Sequence, residues 1–148
     1  MILVDADACP VKEEVTRVAL RHKCPVRFIA NQGLRLPDHP LISMQVVDAG
    51  FEAADDAIAE AAGPDTLVIT SDILLADRCL KAGAAVMDPK GQSFSAASIG
   101  AQIASRAIMA DLRAGLDGQG IGGQRPFSQK DRSQFLNALE NALRKLPR

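Results

Sequence analysis

The chain has 148 residues, with 17 basic against 18 acidic side chains and 47% apolar residues, a composition that excludes disorder and suits one domain with a sizeable core. No apolar run is long enough for a membrane span, and no basic flank leads into a long apolar stretch at the start, so neither an anchor nor a signal peptide is expected. Cys9, Cys24 and Cys79 form an odd set without CxxC spacing, which argues for a reducing, cytoplasmic setting and against a disulfide framework or zinc knuckle.

Ile2–Asp7 reads as a short buried strand. Pro10 stands where a first helical turn would begin, and Val11, Val15 and Val18 follow at helical spacing, so a helix is expected to about Lys23. Val26–Ala30 reads as a second strand, and "NQGLRLPDHP" as a turn-rich loop. Ile42–Val47 is a third strand, and Ala53–Ala62 a helix stopped by Gly63-Pro64. Thr66–Thr70 is the most apolar strand. Ile73–Lys81 is a short helix closed by Gly83, Ala84–Met87 a further strand, and Ile99–Ala114 a longer helix. The glycine-rich stretch over about 115–125 reads as a loop. Ser128 and Asp131 form a capping start for a last helix to about 146, with Phe135, Leu139, Leu143 and Leu146 on one face. Strands alternating with helices, and apolar throughout, predict an α/β fold: a mainly parallel sheet covered on both faces in a Rossmann-like three-layer sandwich. The core is expected over about 1–115.

Charge is distributed unevenly. Residues 1–117 carry 11 basic and 16 acidic side chains, whereas residues 118–148 carry 6 basic and 2 acidic ones. An acidic body with a basic tail can hold cations in one place and phosphates in another; a solvated terminal helix is the plainer reading.

In an open parallel sheet, ligands bind beyond the carboxyl ends of the strands. Asp5 and Asp7 follow the first strand, and alternation along an extended chain would send both to one side. Asp48 and Glu52 follow the third strand, then Asp55 and Asp56 at the start of a helix. Ser71, Asp72 and Asp77 lie in "TSDILLAD" after the fourth. Hard oxygen ligands without His or Cys nearby suit Mg²⁺ or Mn²⁺, which would relieve the mutual repulsion and favour phosphate oxygens as remaining ligands. Asp5, Asp7, Asp55 and Asp72 are the candidate catalytic and metal-binding residues, with Asp56 and Asp77 as further metal ligands. Each has a structural alternative. Asp72 could cap the helix starting at Ile73, Asp55 and Asp56 could be ordinary first-turn acids, and Asp77 could simply face solvent.

At "VDADACP", "ANQGLRLP", "GFEAADDAI", "TSDILLAD" and "SQKDRSQF" the chain resembles the YaiI/YqxD family, also catalogued as UPF0178, over nearly its whole length. The resemblance implies a PIN-like domain, whose better-known relatives are metal-dependent ribonucleases with a quartet of acids at one edge of a Rossmann-like sheet. Carried over, Asp5 matches the acid after the first strand, Asp55 the acid of the middle helix and Asp72 the acid after the fourth strand, while Asp7 belongs to the family's own opening motif. Two positions depart: Glu52 stands where the family commonly has Asp, and Asp77 fills a place that the family need not fill with acid.

Asn31, Gln32 and Arg35, after the second strand, are candidates for holding a phosphate or base, with turn formation the alternative for the first two. Arg106 falls on the apolar stripe of the long helix, where it would snorkel, pair with an acid or clamp a phosphate. Cys9 lacks a basic partner close in sequence and reads as a small buried thiol. With no Tyr or Trp, an aromatic stacking platform is poorly supplied. The expected activity is divalent-metal-dependent phosphodiester hydrolysis, with RNA as substrate and self-association into a homo-oligomer left open. A haloacid-dehalogenase-type phosphatase with Asp5 as nucleophile, and a metal- and RNA-binding module without catalysis, are the alternatives.

Overall fold

The computed structural model describes residues 1–48, 53–115 and 127–146, with their side chains except at residues 8, 106, 107 and 109–115. Among the described residues six strands, β1 (Ile2–Asp5), β2 (Val26–Ala30), β3 (Ile42–Val46), β4 (Leu67–Ile69), β5 (Ala85–Met87) and β6 (Ser93–Phe94), form one sheet in the order β3-β2-β1-β4-β5-β6. All neighbours are parallel except β5 and β6. The helices are α1 (Lys12–Arg21), α2 (Ala53–Ala61), α3 (Ile73–Lys81), α4 (Ala96–Gly115) and α5 (Gln129–Lys145). The α/β architecture with a mainly parallel sheet is thus the one the sequence predicts.

Strand alternation sorts the core into two halves. Ile2, Val4, Val26, Phe28, Leu67, Ile69 and Met87 face α1 and α5, where they meet Val11, Val15, Val18, Phe135, Leu139 and Leu143. The intervening Leu3, Ile29, Val68 and Val86 face the other way, against Ala54 and Ile58 of α2, Leu75 and Cys79 of α3, and Ile99 of α4. Both faces being covered, the central strand β1 needs apolar side chains at consecutive positions, and Ile2, Leu3 and Val4 are all fully buried.

Several boundaries differ from the sequence reading. β1 stops at Asp5 and passes into a single 3-10 turn, Ala6–Ala8, so Asp7 is not on a strand and the alternation argument does not govern its direction. β6 has no counterpart in the sequence reading. At two residues it carries too little periodicity to register, and it exists because a tight turn at Asp88–Gln92 folds it back on β5. That turn holds Gly91 at φ +87°, with Asp88 Oδ1 accepting from the Lys90 and Gln92 amides at 2.9 Å each. A Cβ at position 91 would sit 2.7 Å from the Gln134 carbonyl oxygen in α5. Gly91→Ala therefore combines an unfavourable backbone conformation with a clash against backbone. It is expected to destabilise the fold by about 1–3 kcal/mol, read as a lowered denaturation midpoint with unchanged slope.

α5 begins with the capping box the sequence suggested. The Ser128 hydroxyl accepts from the Asp131 amide at 3.2 Å, and Asp131 Oδ2 accepts from the Ser128 amide at 3.0 Å. The glycine-rich stretch from residue 116, and Glu52, lie outside the described residues. Among the described residues no helix is long and apolar enough to cross a membrane.

Candidate functional site

The sheet order contains one reversal. From β1 the chain moves outward to β2 and β3, then returns to place β4 on the other side of β1. The carboxyl ends of β1 and β4 therefore border the topological switch point, the crevice where open α/β sheets bind ligands. The register pairs Val4 with Ile69, so one step further sets Asp5 beside Thr70. The Thr70 hydroxyl donates to Asp5 Oδ2 at 2.9 Å and its oxygen accepts the Asp72 amide at 3.0 Å. Thr70 is buried and holds the two strand ends in one arrangement. The sequence reading passed over it as part of an apolar strand. The usable signal was a hydroxyl at the last buried position before Ser71-Asp72.

Asp5 shares its parity with Leu3 and so leans toward the α2 and α3 side, half-buried at the end of its strand. Burial pushes its carboxyl above the ordinary carboxylate range, the Thr70 hydrogen bond pulls it back, and the charges of Asp7 and Asp72 push it further up. Asp7 is exposed, and both its carboxylate oxygens accept from the Asn31 amide, at 3.3 and 3.1 Å. This bond ties the turn after β1 to the loop after β2. Asn31 accordingly serves the turn through its backbone, and Gln32 beside it is exposed. Asp72 is the N-cap of α3, its Oδ1 accepting from the Leu74 and Leu75 amides at 2.9 and 3.3 Å. Capping holds the carboxylate at the positive end of the helix, at the mouth of the switch point.

The remaining acids are placed differently. Asp48 follows β3, the outer strand, about 10 Å from β1 at two strand spacings, so the third strand end does not reach the crevice directly. α2 links β3 to β4 and packs across β1 and β2, and its first turn carries Asp55 at the carboxyl edge of the sheet. Asp55 acts electrostatically on Cys79, whose thiol burial pushes up to about 11. Asp56 is ion-paired with Arg78 at 3.0 Å, joining α2 to α3. Asp77 is paired with Lys81 at 2.9 Å, one turn on within α3. Those ion pairs are what the structure displays for Asp56 and Asp77. The side chain of Arg106 lies outside the described residues. Cys9 is buried and its thiol raised by burial, in keeping with an inert packing role.

Asp5, Asp7 and Asp72 are thus near enough for their charges to be felt at Asp5. Among the described residues, no three His, Cys, Asp or Glu side chains are grouped tightly enough to enclose a metal ion. The donor chemistry still fits Mg²⁺ or Mn²⁺: all three groups are hard carboxylates. Mg²⁺ is usually held by only one or two carboxylates, with waters and substrate phosphates completing its shell.

A concavity lies next in the chain to the turn that carries Asp7. A cavity of about 720 Å³ lies between the start of α1, the loop after β2 and α5, and Arg35 lines it with Lys12, Arg17 and Arg132. Apart from Arg35, sequence reasoning did not select these residues, because they come from three separated segments and only the fold brings them together.

Comparison with known proteins places these features in a family. Residues 3–145 match the family model described as "Uncharacterized BCR, YaiI/YqxD family". The chain is 66% identical over 146 residues to a "UPF0178 protein" of Jannaschia sp., covering 99% of this chain and 94% of that one. It is 62% identical over 148 residues to a "UPF0178 protein" of Sphingopyxis alaskensis, covering 100% and 96%. A "UPF0178 protein" of Nitrobacter winogradskyi is 52% identical over 147 residues, covering 99% and 92%. No solved structure matches significantly. With its model matched across nearly the full chain, the YaiI/YqxD family is the one to which this protein belongs.

Proposed function

We propose that the protein is a PIN-like, divalent-cation-dependent phosphodiesterase acting on RNA, with Asp5, Asp7 and Asp72 as its acidic centre and Asp55 at the same edge. The observation that carries this reading is the electrostatic conflict at Asp5. A half-buried carboxylate at the switch point is raised by burial and by two neighbouring carboxylates, yet the fold holds all three there with Thr70, the Asn31 amide and the α3 N-terminus. A perturbed acid beside two further carboxylates in such a crevice serves function more readily than stability. Mg²⁺ or Mn²⁺, when bound, supplies charge neutralisation and Lewis acidity toward a phosphodiester and its attacking water. The chain's own contributions are positional. Thr70 fixes Asp5 by one oxygen, Asp72 is held against two amides, and Asp7 is held by the loop that also carries Arg35.

The phosphatase reading draws on the same Asp5–Asp7 pair, but β2 ends at Ala30 followed by Asn31, where that chemistry would call for Ser or Thr. The test is cleavage of labelled single-stranded and structured RNA by the full chain in Mn²⁺ or in EDTA. EDTA-sensitive products are expected. A beryllium-fluoride adduct trapped on Asp5 would favour the phosphatase instead, and RNA binding without cleavage would reduce the protein to a binding module.

A further inference from the structure

We infer that the cavity between α1, the loop after β2 and α5 is the binding track for the phosphates of a single-stranded polynucleotide whose scissile bond lies at the acidic centre, an inference that rests on the hydrolase reading for its second half only. Charge is the first argument. Among the described residues, Lys12, Arg17, Arg35 and Arg132 line the cavity with Glu13 and Glu14, four cations against two anions. The body that supplies three of these cations, residues 1–117, carries 11 basic and 16 acidic side chains, so a net positive concavity there is a local reversal of sign. Anions are drawn to such a patch and repelled by its surroundings.

Availability is the second argument. Arg132 is already engaged: its Nη1 donates to Glu14 Oε1 at 2.8 Å and to the Pro10 carbonyl at 3.1 Å, and its guanidinium lies 5.0 Å from the centre of the Phe127 ring. Lys12 Nζ donates to the Cys9 carbonyl at 2.8 Å. These two build the wall. Arg17 and Arg35 are exposed and make no hydrogen bond or ion pair among the described residues, so both guanidinium forks are open to phosphate.

Position is the third. Cys9 and Pro10 of the cavity wall follow Asp7 by two and three residues, and Arg35 follows Asn31, whose amide Asp7 holds, by four. The cationic cavity therefore starts two residues along the chain from Asp7 and is bordered by the loop whose Asn31 amide Asp7 holds. A volume of about 720 Å³ is that of an ordinary ligand site. Its aromatic lining is absent among the described residues, and Phe127 is covered by Arg132, so recognition runs through the backbone rather than through stacked bases and is indifferent to sequence.

The test reads binding without cleavage. Full-length chain carrying Asp5→Asn is titrated in EDTA against a fluorescent short single-stranded RNA, by anisotropy over a range of salt. Adding Arg17→Ala and Arg35→Ala together is expected to weaken binding roughly tenfold and to lower the slope of log K against log salt by about 1.4, two contacts at ~0.7 each. Circular dichroism melts of the same variants show whether they are folded, and the more conservative Arg17→Lys with Arg35→Lys should restore part of the loss. The same loss with a DNA strand of equal length supports the backbone reading. Unchanged affinity and slope in the double alanine variant overturn the inference, as does inorganic phosphate competing as well as the oligonucleotide at fixed ionic strength. Cleavage is read separately, with the wild-type chain in Mn²⁺: its absence there, while binding depends on these arginines, sinks only the hydrolase reading, and its presence with arginine-independent binding sinks only this one.

Discussion

Asp5→Asn is expected to abolish the proposed cation-dependent hydrolysis and, in the same protein, to raise the melting temperature without metal. The two effects have one cause. Asp5 carries charge into a half-buried position already facing Asp7 and Asp72, and burial is the larger part of its penalty. Asparagine has the same shape and keeps an oxygen to accept from the Thr70 hydroxyl, so the variant loses the charge and little else. Activity should fall at least ~10²-fold, the upper loss seen when only the supporting partner of a metal ligand is removed. The gain in melting temperature should be about 2–4 °C for each kcal/mol of burial and repulsion relieved. The pH dependence fixes the sign. Between the unfolded carboxyl's value, about 3.9, and the raised folded value, the native state binds more protons than the unfolded one, so stability falls as pH rises through that window. The advantage of Asp5→Asn should therefore vanish below the window and be complete above it. Mn²⁺ should raise the melting temperature of wild type and move the variant much less. A variant no more stable than wild type at neutral pH, and equally shifted by Mn²⁺, would count against an acidic centre at Asp5.

The architecture was legible because it is written in periodicity. The consecutive apolar residues of β1 and β4, and the spacing of Val11, Val15 and Val18, have no other economical arrangement than a sheet covered on both sides. The capping roles of Asp72 and Ser128 were legible for a similar reason, since each depends on amides within three residues. What escaped was set by long-range pairing. That β3 lies outermost, and so carries Asp48 away from the crevice, follows from strand order, which no local pattern encodes. The direction of Asp7 depends on a 3-10 turn that replaced the end of the expected strand. Thr70 acts on Asp5 from 65 residues away. The cationic cavity needs α5 to return across α1, and its Arg132–Glu14 pair spans 118 residues. The acids were found by type and by strand-end position; their actual neighbours were not available from sequence.

That return of α5 leads to the second large effect. Phe135 is fully buried, on the face where Leu139 and Leu143 join Val11, just before α1, and Val15 and Val18 of α1 over the sheet. Truncating it to Ala removes a whole ring from a close-packed site and is expected to cost about 3–5 kcal/mol. At 2–4 °C per kcal/mol this lowers the melting temperature by roughly 6–20 °C. The polar ties between the same helices are weaker competitors. Glu140 accepts from both Arg21 and His22, but the Arg21 side chain is 60% exposed, and pairs of that kind contribute about 0–1 kcal/mol. Glu140→Gln should therefore melt within a few degrees of wild type while Phe135→Ala does not. If packing of α5 is what holds Arg132 over Glu14, the Phe135→Ala protein should also expose the α5 amides to hydrogen exchange before those of β1 and β4, and bind single-stranded RNA more weakly at temperatures where the sheet is intact. Equal protection of α5 and the central strands in that variant would mean that the last helix is held by its ion pairs, with apolar packing the lesser force.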